Sequence, residues 1–415
     1  MKPLEGIKVL DLTRVVSGPF CSMQLGDLGA EIIKIEEPTR GDDSRAFGPP
    51  FVGSESAYFL SVNRNKQSCA INLKSPAGRD LIRELASRSD VLIENFRPGT
   101  MDRLGLGLTA LREDNPRLIC CSISGFGTSG PDAQRPGYDL IVQGESGIMD
   151  ITGEAGGPPT KVGTSIGDLV AGLYATQAIL AALAGRERTG EGCSVNVAMI
   201  DSLASLLIFN AGIYFTTKQS PTRRGNTHPT IAPYETFRAS DGWINLGIAN
   251  DKFWQLFCDC VGAEDLAADN RFLRAPNRVK HRAELIPKVA KIIAAKPRDQ
   301  WVTLLTAAGI PCGQIRTVGE VCQAEQIVSR GMIIQMEHPS AGVISNIGSP
   351  IHFEESGPVK HVPPPLHGQH TREILKDFLA MHDSEIDALL AQGVIRASHD
   401  TSLASAHHNR DYFDE

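Results

Sequence analysis

The sequence predicts an α/β fold, with a large domain built on a parallel sheet and a smaller α+β domain after it. Three observations carry this reading. Short apolar runs alternate with helical patterns through the first half, as they do where crossover helices join parallel strands. Near residue 220 the composition becomes Ser220-Pro221-Thr222-Arg223-Arg224-Gly225-Asn226, a linker signature beyond which the pattern changes. At 415 residues and 41% hydrophobic content, the chain is too long for one ordinary core and apolar enough for two.

Taken in order, residues 7–12 read as a strand, and Ser17 with Pro19 starts a helix that runs to about Leu28. Residues 30–36 form a second strand. Ser75-Pro76 opens a helix with Leu81, Ile82 and Leu85 on one face, followed by strands at 91–93 and 117–124. After a Gly/Pro-rich loop from 125 to 137, helices are expected at 138–149 and from Asp168 to about 184, a strand at 193–198 and a long apolar helix at 201–217. The second domain, 220–325, should hold strands at 230–237 and 243–248 and helices at 251–261, 278–295 and 298–307. From 326 to 397 the chain turns strand-rich again and then forms helices at 370–381 and 383–392, while 398–415 is polar and aperiodic and reads as a disordered tail.

The net charge of −7 provides no general attraction to nucleic acid or to an acidic membrane, so an anionic ligand must be met by a local basic patch. Nine scattered cysteines without a CxxC pair read as reduced thiols in a cytoplasmic enzyme rather than a zinc or redox site. The N-terminal residues lack a signal-peptide core, and no charge-free apolar run is long enough for a bilayer. Neither a nucleic-acid nor a membrane partner is therefore expected.

The chemistry centres on Gly163-Thr164-Ser165-Ile166-Gly167-Asp168, which leads into a small, apolar helical run. A carboxylate there can cap free N–H groups. It can equally be a nucleophile, because the glycines permit close approach of a substrate and a helix N-terminus stabilises negative charge. The same string matches a G-x-S-x-G elbow and raises a serine hydrolase using Ser165, but Gly156-Gly157-Pro158-Pro159 stands where the elbow needs a buried strand. Gly125-Phe126-Gly127-Thr128-Ser129-Gly130 matches G-x-G-x-x-G, yet Pro131-Asp132 follows it in place of an apolar helix. No Gly-Lys dipeptide occurs, so a P-loop is absent. His361, His367 and His370 have an H-x-x-H spacing but no acidic partner nearby, and they read as ordinary residues at a helix start, with no metal expected.

This segment resembles the active-site segment of the class III CoA transferases, the family of formyl-CoA transferase and carnitine-CoA transferase. Asp11-Leu12-Thr13-Arg14 with Gly18-Pro19, Leu28-Gly29-Ala30-Glu31, Asn63-Arg64-Asn65-Lys66, Glu94-Asn95-Phe96-Arg97-Pro98-Gly99 and Gly309-Ile310-Pro311-Cys312-Gly313 resemble its other landmarks, in the family's order. The resemblance implies a Rossmann-like, discontinuous large domain (1–219 and 326–397) and an interlocked homodimer. It also implies a CoA thioester as substrate, with no tightly bound cofactor, and a free carboxylic acid as acceptor. Asp168 would pass through a mixed anhydride and an aspartyl-CoA thioester, with Tyr138 beside it. By family position Val15, Val16, Lys74, Asn95, Phe96, Arg97 and Arg103 would contact CoA. Arg40, Arg64 and Lys66 add cations on the adjoining loops.

Racemases of the same fold carry a histidine where this chain has Tyr138, and every histidine here lies at 228 or later. Transfer is therefore expected over racemisation. A non-catalytic acyl-CoA-binding protein is the remaining alternative. The stretch from Arg224 to Glu235 looks like branches that use succinyl-CoA and dicarboxylic acceptors, with Arg223, Arg224 or His228 as candidates for a distal carboxylate.

Overall fold

The computed structural model describes residues 2–354 and 361–398. The expected tail from residue 399 onward lies outside the described residues. The chain forms two compact units: Met1–Ile148, Val162–Ile208 and the stretch from Gly331 onward make the first, and Met149–Lys161 with Phe209–Arg330 the second.

The first unit is organised by a seven-stranded sheet of β1 (Lys8–Asp11), β2 (Glu31–Glu36), β3 (Lys66–Ile71), β4 (Val91–Glu94), β5 (Ile119–Ser124), β6 (Ser194–Ala198) and β7 (Ile395–Arg396). Their order across the sheet is β7-β3-β2-β1-β4-β5-β6. The first six pair in parallel, and β7 runs antiparallel to β3, with Ile395 opposite Ile71. The parallel strands thus follow the 3-2-1-4-5-6 order of doubly wound sheets, in which the chain reverses direction between β1 and β4 and ligands bind beyond the carboxyl ends there. The fold class is the α/β architecture that the alternating apolar runs predict.

Burial on both faces explains the near-continuous apolar strands: Ile32, Ile33, Val91, Leu92 and Ile93 are all buried. On one face, helix α2 (Pro76–Ser87) sets Leu81, Ile82 and Leu85 against Leu10, Ile33 and Leu92, together with Ile374, Leu375 and Ile386 from the C-terminal segment. Ser75 caps α2 by accepting from Gly78 N, with Pro76 in the first turn. Two further helices, α1 (Ser17–Asp27) and α4 (Ile166–Thr189), pack against each other, with α3 (Asp139–Glu145) against α4. Expected helix 138–149 is broken into α3 and a turn at Ile148–Ile151, and expected helix 201–217 into Met199–Ala204, a 3-10 turn and Ile208–Thr217. Two stretches, Ile166–Thr189 and Met199–Thr217, are long and apolar enough to cross a membrane by length and composition, though charged residues such as Asp168, Arg186 and Asp201 interrupt them.

The second unit carries a three-stranded antiparallel sheet of Tyr234–Arg238, Trp243–Gly247 and Cys312–Gln314, with Trp243–Gly247 in the middle. Helices Asp251–Val261, Arg282–Ile293 and Arg298–Ala307 close over Phe237, Ile244 and Leu246 around Trp254, Phe257 and Trp301. The sequence places the start of this domain at 220, whereas the compact unit begins at Phe209 and takes in 149–161. Arg223 accounts for part of the difference, because its guanidinium donates to Asp150 O at 2.7 Å and Gly157 O at 3.0 Å and so ties that excursion in.

Candidate active site

At the reversal point of the sheet, the loop after β1 is fastened atom by atom. Leu12 N donates to Ile93 O at 2.8 Å, continuing the strand pairing. The Asn95 carboxamide accepts from Arg14 N at 2.9 Å and donates to Arg14 O at 2.7 Å. Val15 N donates to Asp42 Oδ1 at 3.1 Å, and Lys34 Nζ donates to Thr13 O at 2.8 Å. These bonds hold Val15 at φ +70°, a left-handed conformation that a β-branched residue adopts only when its surroundings impose it. The Arg14 guanidinium lies 5.7 Å from the Phe96 ring centre and pairs with Asp43 at 3.0 Å. Val15, Val16, Asn95 and Phe96, scattered in sequence, therefore meet in one place.

Under this loop lies a sealed charge cluster. Asp11 accepts from Ser22 Oγ and Thr13 Oγ1, and Lys66 Nζ reaches it at 3.2 Å while donating to Pro19 O and Asn63 Oδ1. Lys34 pairs with Asp42 at 2.7 Å. Burial alone would raise the Asp11 carboxyl, but Lys66 and Lys34 outweigh it and hold the group below its ordinary value. Arg64 is equally committed, donating through Nε and Nη2 to the two oxygens of Asp27. Arg64 and Lys66 are thus not the phosphate-facing cations that their sequence positions suggest. Arg40, Lys74, Arg97 and Arg103 do remain exposed, on segments that follow the carboxyl ends of β2, β3 and β4.

Asp168 is the third residue of α4, and it does not cap its own helix. The Gly167 N–H instead donates to Asp139 Oδ1 at 2.8 Å. Asp139 begins α3, and its other oxygen accepts from Gln143 Nε2 at 2.7 Å, while Gln143 Oε1 accepts from Val162 N at 2.8 Å. These two side chains clamp the segment leading into Asp168. Gly125 and Gly137 make the approach of α3 possible, since a Cβ on Gly125 would stand 2.7 Å from Gly137 Cα. Those glycines serve a backbone crossing, which is where the G-x-G-x-x-G reading fails.

The half-buried Asp168 carboxyl is pushed up to about 7, first by burial and then by the neighbouring Asp139 charge. The nearby Ser17 hydroxyl and N–H oppose the shift by favouring the ionised form. Among the described residues, no cation contributes to the shift. A carboxylate poised near neutrality in a partly dry site is suited to acid–base work or to nucleophilic attack. Tyr138 stands immediately before α3 but is 74% exposed. Ser165 is the residue before α4 and has no strand ahead of it, so the hydrolase elbow is not formed.

With this geometry in place, comparison with known proteins decides the family. Residues 4–371 match the family described as CoA-transferase family III. The chain belongs to that family. Among its curated relatives, human succinyl-CoA:glutarate CoA-transferase is 41% identical over 395 residues, covering 95% of this chain and 90% of the relative. The succinate–glutarate CoA-transferase of Agrobacterium fabrum is 37% identical, covering 91% and 96% respectively. A CAIB/BAIF family protein from Brucella suis has a solved structure that superposes with a TM-score of 0.84 at 38% identity, over 90% of this chain and 99% of that one. As a family III CoA-transferase, the protein is an enzyme that uses CoA thioesters.

The residues proposed from sequence for a distal carboxylate fare unequally. Arg223 is spent on Asp150, including Oδ1 at 2.8 Å, and on Gly157, so it is a tether of the second unit and no longer a candidate. Arg224 is exposed. His228 accepts from Thr230 N through Nδ1 at 3.2 Å and packs edge-on against Tyr234. Within the second unit, the stretch ending at Glu235 and the Pro311-Cys312-Gly313 landmark line one pocket of about 340 Å³. The three histidines of the C-terminal segment go separate ways, His361 to Asn65, His367 to the Glu37 carbonyl and His370 to Ser68 N.

Asp139, Gln143 and Ser17 were missed in sequence. The first two carried a signal, a carboxylate and a carboxamide four residues apart and so on one helix face. Ser17 carried none beyond its place at a helix start.

Proposed function

We propose that this enzyme moves CoA from succinyl-CoA to a small dicarboxylic acid, with Asp168 as the nucleophile. The observation that carries the reading is Asp168 itself: half-buried, without a cation acting on it among the described residues, and raised to about 7 beside Asp139. The carboxylate attacks the thioester carbon, the C–S bond breaks, and CoA thiolate leaves a mixed anhydride. The thiolate then attacks the Asp168 carbonyl, the first acid departs as its carboxylate, and an aspartyl-CoA thioester remains. The acceptor carboxylate runs the same steps in reverse, so no ATP or metal is consumed. In this reading Lys74, Arg97 and Arg103 meet the CoA phosphates, and Val15, Val16, Asn95 and Phe96 meet the rest of the carrier; the exposure of the three cations beyond the carboxyl ends of β3 and β4 supports it.

The dicarboxylate part rests on the relatives, which include the two enzymes acting on glutarate and, at 39% identity, a succinyl-CoA:mesaconate CoA-transferase of Haloarcula marismortui. The test is a panel of free acids with succinyl-CoA, without ATP or metal, followed by mass spectrometry of the new thioesters. Dicarboxylates should be converted, with the acid limb of kcat/KM falling below about pH 7 as Asp168 takes up a proton. Transfer confined to formate or aromatic monocarboxylic acids overturns the substrate reading. Proton exchange α to the thioester without transfer selects a racemase.

We also propose a homodimer. Its support is the helix Ile208–Thr217, on which Ile208, Phe209 and Phe215 are 73%, 67% and 69% exposed, an apolar surface that calls for cover. A folded monomer in native mass spectrometry removes this proposal.

A further inference from the structure

Two backbone N–H groups fix the direction of the hydrogen bonds in front of α4. Val162 N can only donate, so the Gln143 oxygen 2.8 Å from it is the acceptor, and the Gln143 amide nitrogen must turn towards Asp139, which it meets at 2.7 Å. Gly167 N can likewise only donate, and it takes the other Asp139 oxygen at 2.8 Å. Gln143 is wholly buried, so it cannot exchange these partners for bulk water. Both Asp139 oxygens are therefore spent as acceptors, the arrangement of an ionised carboxylate in which neither oxygen is left to carry a proton. Among the described residues no cation pairs with it.

The charge is held close to Asp168. Gly167 is the residue before it, and a Cβ there would stand 3.1 Å from Asp139 Oδ1 and 3.0 Å from Val142 Cγ2, so glycine is what admits α3 to the start of α4. Gln143 also brings its amide nitrogen to 3.5 Å from Thr164 O. The stretch 162–167 is thus tied at both ends to one face of α3. On the elements packed against α4, the other titratable side chains are Cys21 and Asp27 of α1, Cys120 and Cys121 of β5, Glu145 of α3 and Asp201 of the helix Met199–Ala204. Of the charged neighbours, Asp139 is the one that raises Asp168.

We propose that Asp139 and Gln143 are a positioning pair that locks the backbone leading into Asp168 and, through the fixed polarity of its hydrogen bonds, keeps a second negative charge beside the nucleophile. This rests on the reading of Asp168 as the nucleophile. A like charge so near makes the Asp168 carboxylate more basic, and a more basic carboxylate gives its electron pair more readily to the thioester carbon. The consequence is a proton taken up below neutrality, which sets the acid limb of the rate. A cation at the same place would hold the segment as firmly but would make the carboxylate less basic, as Lys66 and Lys34 do to Asp11.

The test moves the charge without breaking the bonds. In Asp139→Asn the single amide oxygen cannot serve both Gly167 N and the Gln143 amide. When Asp139→Asn is combined with Gln143→Glu, that oxygen accepts from Gly167 N, the new amide nitrogen donates to the new carboxylate, and the carboxylate accepts from Val162 N. The double variant should therefore melt at a higher temperature than Asp139→Asn. In both variants the acid limb of kcat/KM for transfer from succinyl-CoA should lie about one pH unit below the wild-type limb, with kcat at pH 8 about 3- to 10-fold lower and the Kd for CoA unchanged. A limb at the wild-type position overturns the proposal, and so does a double variant that melts no higher than Asp139→Asn. If Asp139→Asn does not fold, the double variant is read by its limb, and failure of the double variant to fold also overturns the proposal, since it keeps every hydrogen bond. Asp168→Ala separates the two readings: full transfer by that variant overturns the nucleophile, whereas loss of transfer there with an unmoved limb in Asp139→Asn overturns only the positioning pair.

Discussion

Asp11 and Asp168 both lie in the first unit, and their surroundings drive them in opposite directions. Asp11 is sealed from solvent among Lys66, Lys34, Ser22 and Thr13 and is held below its ordinary value. Asp168 is less buried, has Asp139 for a charged neighbour, and rises to about 7. Burial penalises both, so the presence or absence of a cation decides the sign. The first is a fixed part of the scaffold that shapes the loop above it, and the second keeps a proton equilibrium within reach of the reaction.

The comparison breaks most decisively at Asp168→Ala, which should lower transfer at least about 10,000-fold while leaving the fold intact. Hydroxylamine trapping during turnover should modify Asp168 and leave Ser165 untouched, and near-normal transfer by the variant ends the nucleophile reading. Next in size is Asp11→Asn, which strands Lys66 in the interior. It should cost about 3–5 kcal/mol in urea unfolding, and a loss of activity at unchanged stability would show that the cluster is not scaffold.

A smaller effect of opposite sign sharpens the contrast. A carboxyl raised in the folded state binds its proton more tightly than in the unfolded chain, so stability is lost as pH rises from about 4 to about 7. Asp168→Asn should therefore stabilise the protein by about 1–3 kcal/mol at pH 8, with the gain shrinking towards pH 4. Thermal melts across that range check it, and a gain independent of pH would contradict the assignment. The smallest change is expected from Arg223→Ala, which should lower stability by about 1–3 kcal/mol while leaving KM for dicarboxylates unmoved. A selective rise in that KM would return Arg223 to the substrate.

The order of strands and helices was legible because apolar runs and turn residues are local signals, as Val91–Glu94 and the Ser75-capped helix illustrate. Asp168 was legible through its glycines and its resemblance. What escaped depends on partners far away in the chain. Lys66 and Arg64 read as phosphate cations until the structure supplied Asp11 and Asp27, and Arg223 read as a substrate ligand until the 149–161 excursion folded under it. Asp139 is invisible as a neighbour of Asp168 for the same reason, because the two stand 29 residues apart in sequence and meet only when α3 packs on α4.

The antiparallel strand Ile395–Arg396 also bears on how the protein is made. It covers the edge strand Lys66–Ile71, where nearby contacts such as Ser68 N to His370 Nδ1 span 302 residues of chain. As the chain leaves the ribosome, six parallel strands can assemble and the inserted second unit can fold before that edge is covered. An unpaired edge is a template for joining other chains. The nascent enzyme is thus most prone to aggregation while its second unit is being synthesised, and truncation before residue 395 should yield insoluble protein even though β1 to β6 and Asp168 are all present.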